Sequence, residues 1–213
     1  MIKVGLDTCI LVDSIIKRQK EHEEYFLELL NLHNNGFITL LLSLPVQFEL
    51  YAIMRAGRLR KKNLAGEYEP YQYSHEEILT FFTRYEGLFD IDFVKSLEDK
   101  YLFMPSEDSS GTPLYKKDYH EYILKELDWE DWGLSIIEEQ ARKVKRFLQI
   151  PDEYDYPIMA AAIIDNYHVL ITDNLGHFAQ PLGTCLVVNL KRAKKLDFFD
   201  DYFDDMLESE DAN

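Results

Sequence analysis

Three acidic residues of this 213-residue chain, Asp7, Glu49 and Asp173, are separated in sequence from other charged residues, and together with Asp155 they are the first candidates for chemistry. Asp7 and Asp173 each end a short apolar run, and Glu49 is the single charged residue of a long apolar segment. Asp155 opens a segment of apolar and small residues. An ionised acid beside a hydrophobic core is costly unless it is paired or bound to a cation. We therefore expect either a distant basic side chain or a metal ion near these acids.

If the neighbour of these acids is a metal ion, the carboxylate ligands favour a hard one. Carboxylate oxygens suit Mg²⁺ or Mn²⁺, whereas the absence of His and Cys clusters in the sequence argues against zinc. Each acid alone also has a simpler interpretation. Asp7, Asp155 or Asp173 could cap a helix, and Glu49 could face solvent from the side of a helix.

Alternating strands and helices predict how these acids are positioned. Short apolar runs at residues 2–6, 36–42, 169–172 and 186–189 predict buried strands, and amphipathic segments between them predict helices. This order indicates an α/β fold with a central, largely parallel sheet flanked by helices. Ligands collect at the carboxyl ends of the strands in such sheets, where Asp7 and Asp173 lie.

The chain has three compositionally distinct parts. Residues 1–196 predict one domain, within which residues 60–130 form a Tyr-rich, charged helical insertion. A capping-box pattern at residues 74–77 predicts the start of one of its helices. Residues 197–213 contain eight acidic residues and no Lys or Arg, so this tail holds half of the net charge of -16 and leaves -8 on residues 1–196.

Charge and hydropathy limit the partners and the compartment. Net negative charge disfavours nucleic acid, but basic clusters at residues 55–62, 142–146 and 191–195 keep a polyanion in consideration, with solvated helix faces as the alternative. No run approaches the roughly 20 apolar residues of a membrane helix, and the N-terminus has no signal-peptide pattern. Two cysteines, Cys9 and Cys185, are typical of a reducing compartment. These features predict a cytoplasmic protein without a membrane partner.

Four segments in the same order resemble the PIN-domain family. They cover both ends of the chain, and residues 60–130 have no counterpart in the minimal domain. The similar segments are residues 6–11 (LDTCIL), residues 42–50 (LSLPVQFEL) with the helix-borne Glu49, residues 155–162 (DYPIMAAA), and residues 170–178 (LITDNLGHF).

The resemblance implies a PIN-like three-layer fold and a metal-dependent endoribonuclease. It assigns metal-binding or catalytic roles to Asp7, Glu49, Asp155 and Asp173, with Asn174 as an alternative to Asp173 at the last position. Thr8 and Thr172 are the expected polar supports. Cys9 stands where the family usually has Asn, so one supporting hydrogen bond is expected to differ.

The expected substrate is single-stranded RNA, cleaved with Mg²⁺ or Mn²⁺. We expect Arg55, Arg58, Arg60 and Lys61 to bind it, together with stacking aromatic side chains. The alternative is a non-catalytic RNA-binding or scaffold protein on the same fold, including a toxin–antitoxin component, with a protein inhibitor or a second copy as partner. A dehalogenase-like phosphatase is disfavoured, because it needs an Asp where Cys9 stands.

Overall fold

The apolar run at the start of the chain forms an inner strand of a parallel sheet. In the computed structural model, residues 1–55, 59–62, 68–85, 87–102, 155–178, 182 and 184–194 are described. Strands β1 (Ile2–Leu6), β2 (Ile38–Leu41), β5 (Val169–Ile171) and β6 (Leu186–Val188) pair in the order β2-β1-β5-β6. All pairs among these four strands are parallel.

The strand order creates a switch point between β1 and β5. The chain leaves β1 toward β2 on one side of the sheet, whereas β5 leads to β6 on the other side. The register pairs Leu6 with Ile171, so the residues that follow both strands emerge side by side. A backbone hydrogen bond from Asp7 N to Ile171 O continues this pairing past the end of β1 (3.0 Å). Ligands of parallel α/β sheets bind at such carboxyl-end switch points.

Helices flank the sheet, and the prediction of an α/β fold with a parallel central sheet is confirmed. A short helix and a π-helical turn at Val12–Ile16 follow β1, and a 3-10 turn at Leu175–His177 follows β5. The α-helices of the described residues, in chain order, are α1 (Thr8–Leu11), α2 (Lys20–Asn34), α3 (Leu44–Arg55), α4 (His75–Thr83), α5 (Ile91–Leu102), α6 (Tyr156–Ile164) and α7 (Leu190–Ala193).

Segment 60–102 differs in part from the helical segment expected there. It begins with an antiparallel ribbon of β3 (Leu59–Lys62) and β4 (Tyr68–Tyr71), which the sequence interpretation did not predict. Helices α4 and α5 follow, and the predicted capping box at Ser74 is present. The basic cluster at residues 142–146 and the acidic tail lie outside the described residues. The domain boundaries therefore stay a prediction.

The core joins the sheet to α3 and α6. The sheet contributes side chains with almost no exposed surface, such as Val4 and Leu170, and the flanking helices contribute Leu50 and Ala162. The small residues of α6 allow it to pack closely against α3, which bears Glu49. Within the described residues, no helix has the length and apolar character needed to cross a membrane.

Gly5 of β1 gives a direct test of how tightly the sheet is packed beneath the acids. A Cβ on Gly5 would lie 2.2 Å from the ring of Tyr167, far inside van der Waals contact. We expect Gly5→Ala to lower the free energy of unfolding by about 1–3 kcal/mol, measured by urea denaturation. Gly176→Ala is the matched control, because a Cβ there meets nothing within 4 Å. Equal stability of Gly5→Ala and the wild type would contradict this packing.

Candidate functional site

Asp7 lies at the carboxyl end of β1, and only 3% of its surface is exposed. Its Oδ1 accepts a hydrogen bond from the Thr8 backbone N–H (2.6 Å). Its Oδ2 accepts hydrogen bonds from Thr172 Oγ1 (2.7 Å) and Cys9 Sγ (3.0 Å). Asp7 therefore caps α1, as the simpler interpretation allowed, but it also joins the ends of β1 and β5. Both supporting residues, Thr8 and Thr172, contact this one carboxylate.

Glu49 is linked to Asp7 through Thr8. Thr8 Oγ1 donates a hydrogen bond to Glu49 Oε2 (2.5 Å), while the backbone N–H of the same residue binds Asp7. Glu49 is half-buried in the second turn of α3, so it does not simply face solvent. Helix α3 packs against α1, which explains how residues 41 positions apart in sequence meet. The structure thus connects two of the four predicted acids through a single threonine.

Asp155 sits at the N-terminus of α6 and makes no side-chain hydrogen bond that caps the helix. Instead its Oδ2 contacts His177 Nδ1 at 3.0 Å. The side chain of Asp155 is 15% exposed and that of His177 is 45% exposed. His177 also lowers the pKa of Asp7 by its charge, although this is the weakest of the causes acting there. His177 therefore contacts Asp155 and also acts on Asp7 through its charge. Sequence reasoning did not select His177.

Asp173 has a different set of contacts from the other three acids. Its Oδ2 contacts His22 Nε2 of α2 at 2.8 Å, and its Oδ1 accepts a hydrogen bond from the backbone N–H of Leu190 at the start of α7 (3.2 Å). Both oxygens therefore tie the end of β5 to neighbouring helices. Asn174 is exposed, and its backbone N–H donates to Thr172 Oγ1 (3.0 Å). The assignment of Asp173 or Asn174 as a metal ligand stays a prediction.

Burial raises the pKa of Asp7 above its usual 3.8. Hydrogen bonds from Cys9, Thr172 and Thr8 act in the opposite direction, followed by the charge of His177. Within the described part of the chain, no Lys or Arg is among the groups that lower this pKa. The site therefore holds an acid whose ionised form is stabilised mainly by neutral donors. An added cation would stabilise that form further.

The donor atoms around Asp7 are of the type that hard divalent cations prefer. Carboxylate and hydroxyl oxygens dominate, and burial, together with nearby Asp7, raises the pKa of the Cys9 thiol, so a thiolate ligand is disfavoured. This chemistry fits Mg²⁺ or Mn²⁺, with Asp7, Glu49 and Asp155 as the residues that would hold the ion. Within the described ranges, however, no group of three or more His, Cys, Asp or Glu side chains is arranged so that it could hold a metal.

The predicted RNA-binding residues are only partly placed by the structure. Arg55 is half-buried at the end of α3, and its Nη1 donates to the Tyr73 carbonyl (3.1 Å), so it helps to hold the chain that leaves the ribbon. Arg60 and Lys61 lie on β3. Arg58 lies outside the described residues. The expectation that these residues bind RNA stays a prediction.

Comparisons with known proteins add little to the fold and the site geometry described above. No protein-family model matches the chain, and no curated protein matches it either. Among solved structures, the chain is similar to the crystal structure of VapBC2 from Rickettsia felis bound to a DNA fragment from their promoter. The two share 18% sequence identity over 88% of this chain and 98% of that chain, with a TM-score of 0.35.

The buried charge of Asp7 predicts a stability change that needs no activity assay. Because the pKa of Asp7 is raised in the folded chain, its contribution to stability is fully present below about 3.8 and is lost as pH rises through the raised value. In EDTA at pH 7, Asp7→Asn should therefore melt a few degrees above the wild type, and the gap should close as pH falls.

Asp173→Asn is the matched control for this melt. It makes the same chemical change at an exposed carboxylate that contacts His22 and Leu190, so its melting temperature should be unchanged or lower. A melting temperature of Asp7→Asn at or below that of Asp173→Asn across the pH series would show that the buried charge of Asp7 is not destabilising.

Cys9 is expected to support Asp7 rather than to react. Its thiol donates to Asp7, and burial raises the pKa of both Cys9 and Cys185, the latter to about 12. A thiol reagent should therefore modify the native protein much more slowly than the protein unfolded in guanidinium. Cys9→Ser preserves a donor toward Asp7 and should keep a native melting temperature. Rapid modification of Cys9 in the folded wild type would contradict this assignment.

Proposed function

We propose that this chain is a metal-dependent endoribonuclease that hydrolyses RNA phosphodiester bonds. The observation that supports it best is the buried Asp7 at the switch point, joined through Thr8 to Glu49 on α3. Two acids that share one threonine at the carboxyl edge of a parallel sheet are arranged as a candidate ligand pair. The sequence resemblance to PIN domains points to the same chemistry.

The chain's own residues have separate tasks in this proposal. Thr8 holds Asp7 and Glu49 in fixed relation, and Thr172 and Cys9 direct the second oxygen of Asp7. Asp155 is oriented by its contact with His177. A bound Mg²⁺ or Mn²⁺ would supply an acidic water and offset the charge that develops on the phosphate.

Electrostatics explains why such a site would need the ion before the substrate. The chain has a net charge of -16, and an RNA phosphate would meet further negative charge at the acids. A divalent cation reverses the sign of the potential locally, where no Lys or Arg of the described residues acts on Asp7. We therefore assign substrate selection at the acids to the ion and substrate affinity to basic residues elsewhere.

The alternative is a non-catalytic RNA-binding or scaffold protein on the same fold. The observation in its favour is that no three metal-binding side chains of the described residues form a group that could hold an ion. Closing of the acids around an ion is required for hydrolysis and is not required for scaffolding. Metal-dependent cleavage therefore separates the two proposals.

Cleavage of a labelled single-stranded RNA should occur in Mg²⁺ or Mn²⁺ and stop in EDTA. Asp7→Asn, Glu49→Gln and Asp155→Asn should each reduce the rate by at least about 100-fold, because each removes a charge that would hold the ion. Asp165→Asn is the control, since that acid lies at the far end of α6 and faces Lys3. Thermal melts establish that every variant is folded. Wild-type rates in Asp7→Asn, or cleavage in EDTA, would reject the proposed function.

A further inference from the structure

Helix α7 begins directly after β6, at the same edge of the sheet as the candidate site. Because β1, β5 and β6 are parallel neighbours, the residues that follow them emerge together. The backbone N–H of Thr172 donates to the Val188 carbonyl (2.9 Å), which continues the pairing of β5 with β6 beyond the end of β5. Asp173 Oδ1 accepts from the backbone N–H of Leu190, the first residue of α7 (3.2 Å). The start of α7 is therefore fixed one residue away from Thr172, a hydrogen-bond partner of Asp7.

Two basic side chains of α7 face away from the core. Leu190 and Ala193 are buried, whereas Lys191 and Arg192 are exposed. The Ala193 carbonyl accepts a hydrogen bond from the hydroxyl of Tyr25 on α2 (2.8 Å), so the end of this short helix is anchored as well as its start. The two cationic side chains therefore project from a backbone segment that is held in place.

The charges of α7 and its surroundings are offset to different degrees. Lys194, just beyond the helix, contacts Glu21 of α2 at 3.6 Å. Asp173, which contacts the start of α7, faces His22 through its other oxygen at 2.8 Å. Lys191 forms no ion pair within the described part of the chain. Because the whole chain has a net charge of -16, an available cation at this edge would restrict where a polyanion can approach.

The separation between β6 and β1 suits a short stretch of nucleic acid. Strand β5 lies between them, and neighbouring strands are about 4.8 Å apart, so β6 runs about 10 Å from β1. A strand of nucleic acid that rises about 3.4 Å per nucleotide covers this separation with about three nucleotides. A phosphate held at α7 would therefore belong to the same short segment as a phosphate at Asp7.

We propose that Lys191 and Arg192 of α7 bind backbone phosphates of single-stranded RNA a few nucleotides from the phosphate at the acids. Lys and Arg side chains that neutralise phosphates release counterions, which supplies affinity that does not depend on base sequence. The inference rests on the proposed function, because RNA is the substrate assigned there. It adds residues at the carboxyl edge of the sheet that would supply the affinity that the acids themselves lack.

The test compares exposed lysines on two different helices. Lys191→Gln and Lys95→Gln each remove one positive charge, but Lys95 lies on α5 and contacts Asp92 of the same helix. Lys191→Arg keeps the charge at α7 and serves as the conservative variant. Affinity for a fluorescent single-stranded oligoribonucleotide is measured by anisotropy in EDTA over a salt series, so that binding is observed without cleavage. Thermal melts establish that every variant is folded.

Lys191→Gln should weaken binding about eightfold at 50 mM salt and about twofold at 300 mM, as loss of one phosphate contact on a single strand predicts. Arg192→Gln should show the same salt dependence. Lys191→Arg and Lys95→Gln should stay within about twofold of the wild type at each salt concentration. In Mn²⁺, Lys191→Gln should raise KM for cleavage and leave kcat within about twofold, because the phosphate contact is present both before and during the reaction.

Three results would overturn the proposal. Equal losses in Lys191→Gln and Lys95→Gln would indicate only the general effect of charge. Wild-type affinity in both α7 variants, or an absence of RNA binding by the wild type, would show that α7 does not hold RNA. Failure of the proposed function gives a different pattern. Binding that depends on Lys191 without cleavage in Mn²⁺ would reject the nuclease and leave α7 as an RNA-binding surface.

Discussion

The site depends on the burial of one carboxylate at the end of a central strand. Asp7 loses most of its hydration there, and the compensation comes from the donors Thr8, Cys9 and Thr172. These residues are contributed by the first turn of α1 and by the end of β5, so the strand pairing and the carboxylate hold each other in place. Glu49 joins the same network through Thr8, which fixes α3 relative to the sheet.

Part of this arrangement could be predicted from the sequence because isolated charge in an apolar context has few explanations. The apolar runs before Asp7 and Asp173 predicted strand ends, and parallel topology places such ends on one edge of the sheet. Glu49 could be assigned to a helix because apolar residues recur at helical spacing around it, at Val46, Leu50 and Ile53. The observed strands differ from the predicted ones by one or two residues at their ends. At β2, for example, the strand ends where backbone pairing ends and not where the apolar run ends.

Other features depend on contacts between distant residues, which local patterns do not encode. His22 and His177 are ordinary polar residues in sequence, and only the fold places them beside Asp173 and Asp155. The contacts of the two Asp173 oxygens with α2 and α7 could likewise not be predicted from the sequence. The ribbon was not predicted because its short, charged strands show no clear alternation in hydropathy.

We propose that the buried Asp7 and the neighbouring acids bind a hard divalent cation. A crystal of the wild-type protein soaked in Mn²⁺ and measured for anomalous scattering tests it most directly. We expect an anomalous peak in contact with the carboxylates of Asp7 and Glu49, with Asp155 turned toward it. An Asp7 site without a peak in Mn²⁺-saturated crystals, or a peak only at Asp173, would contradict it.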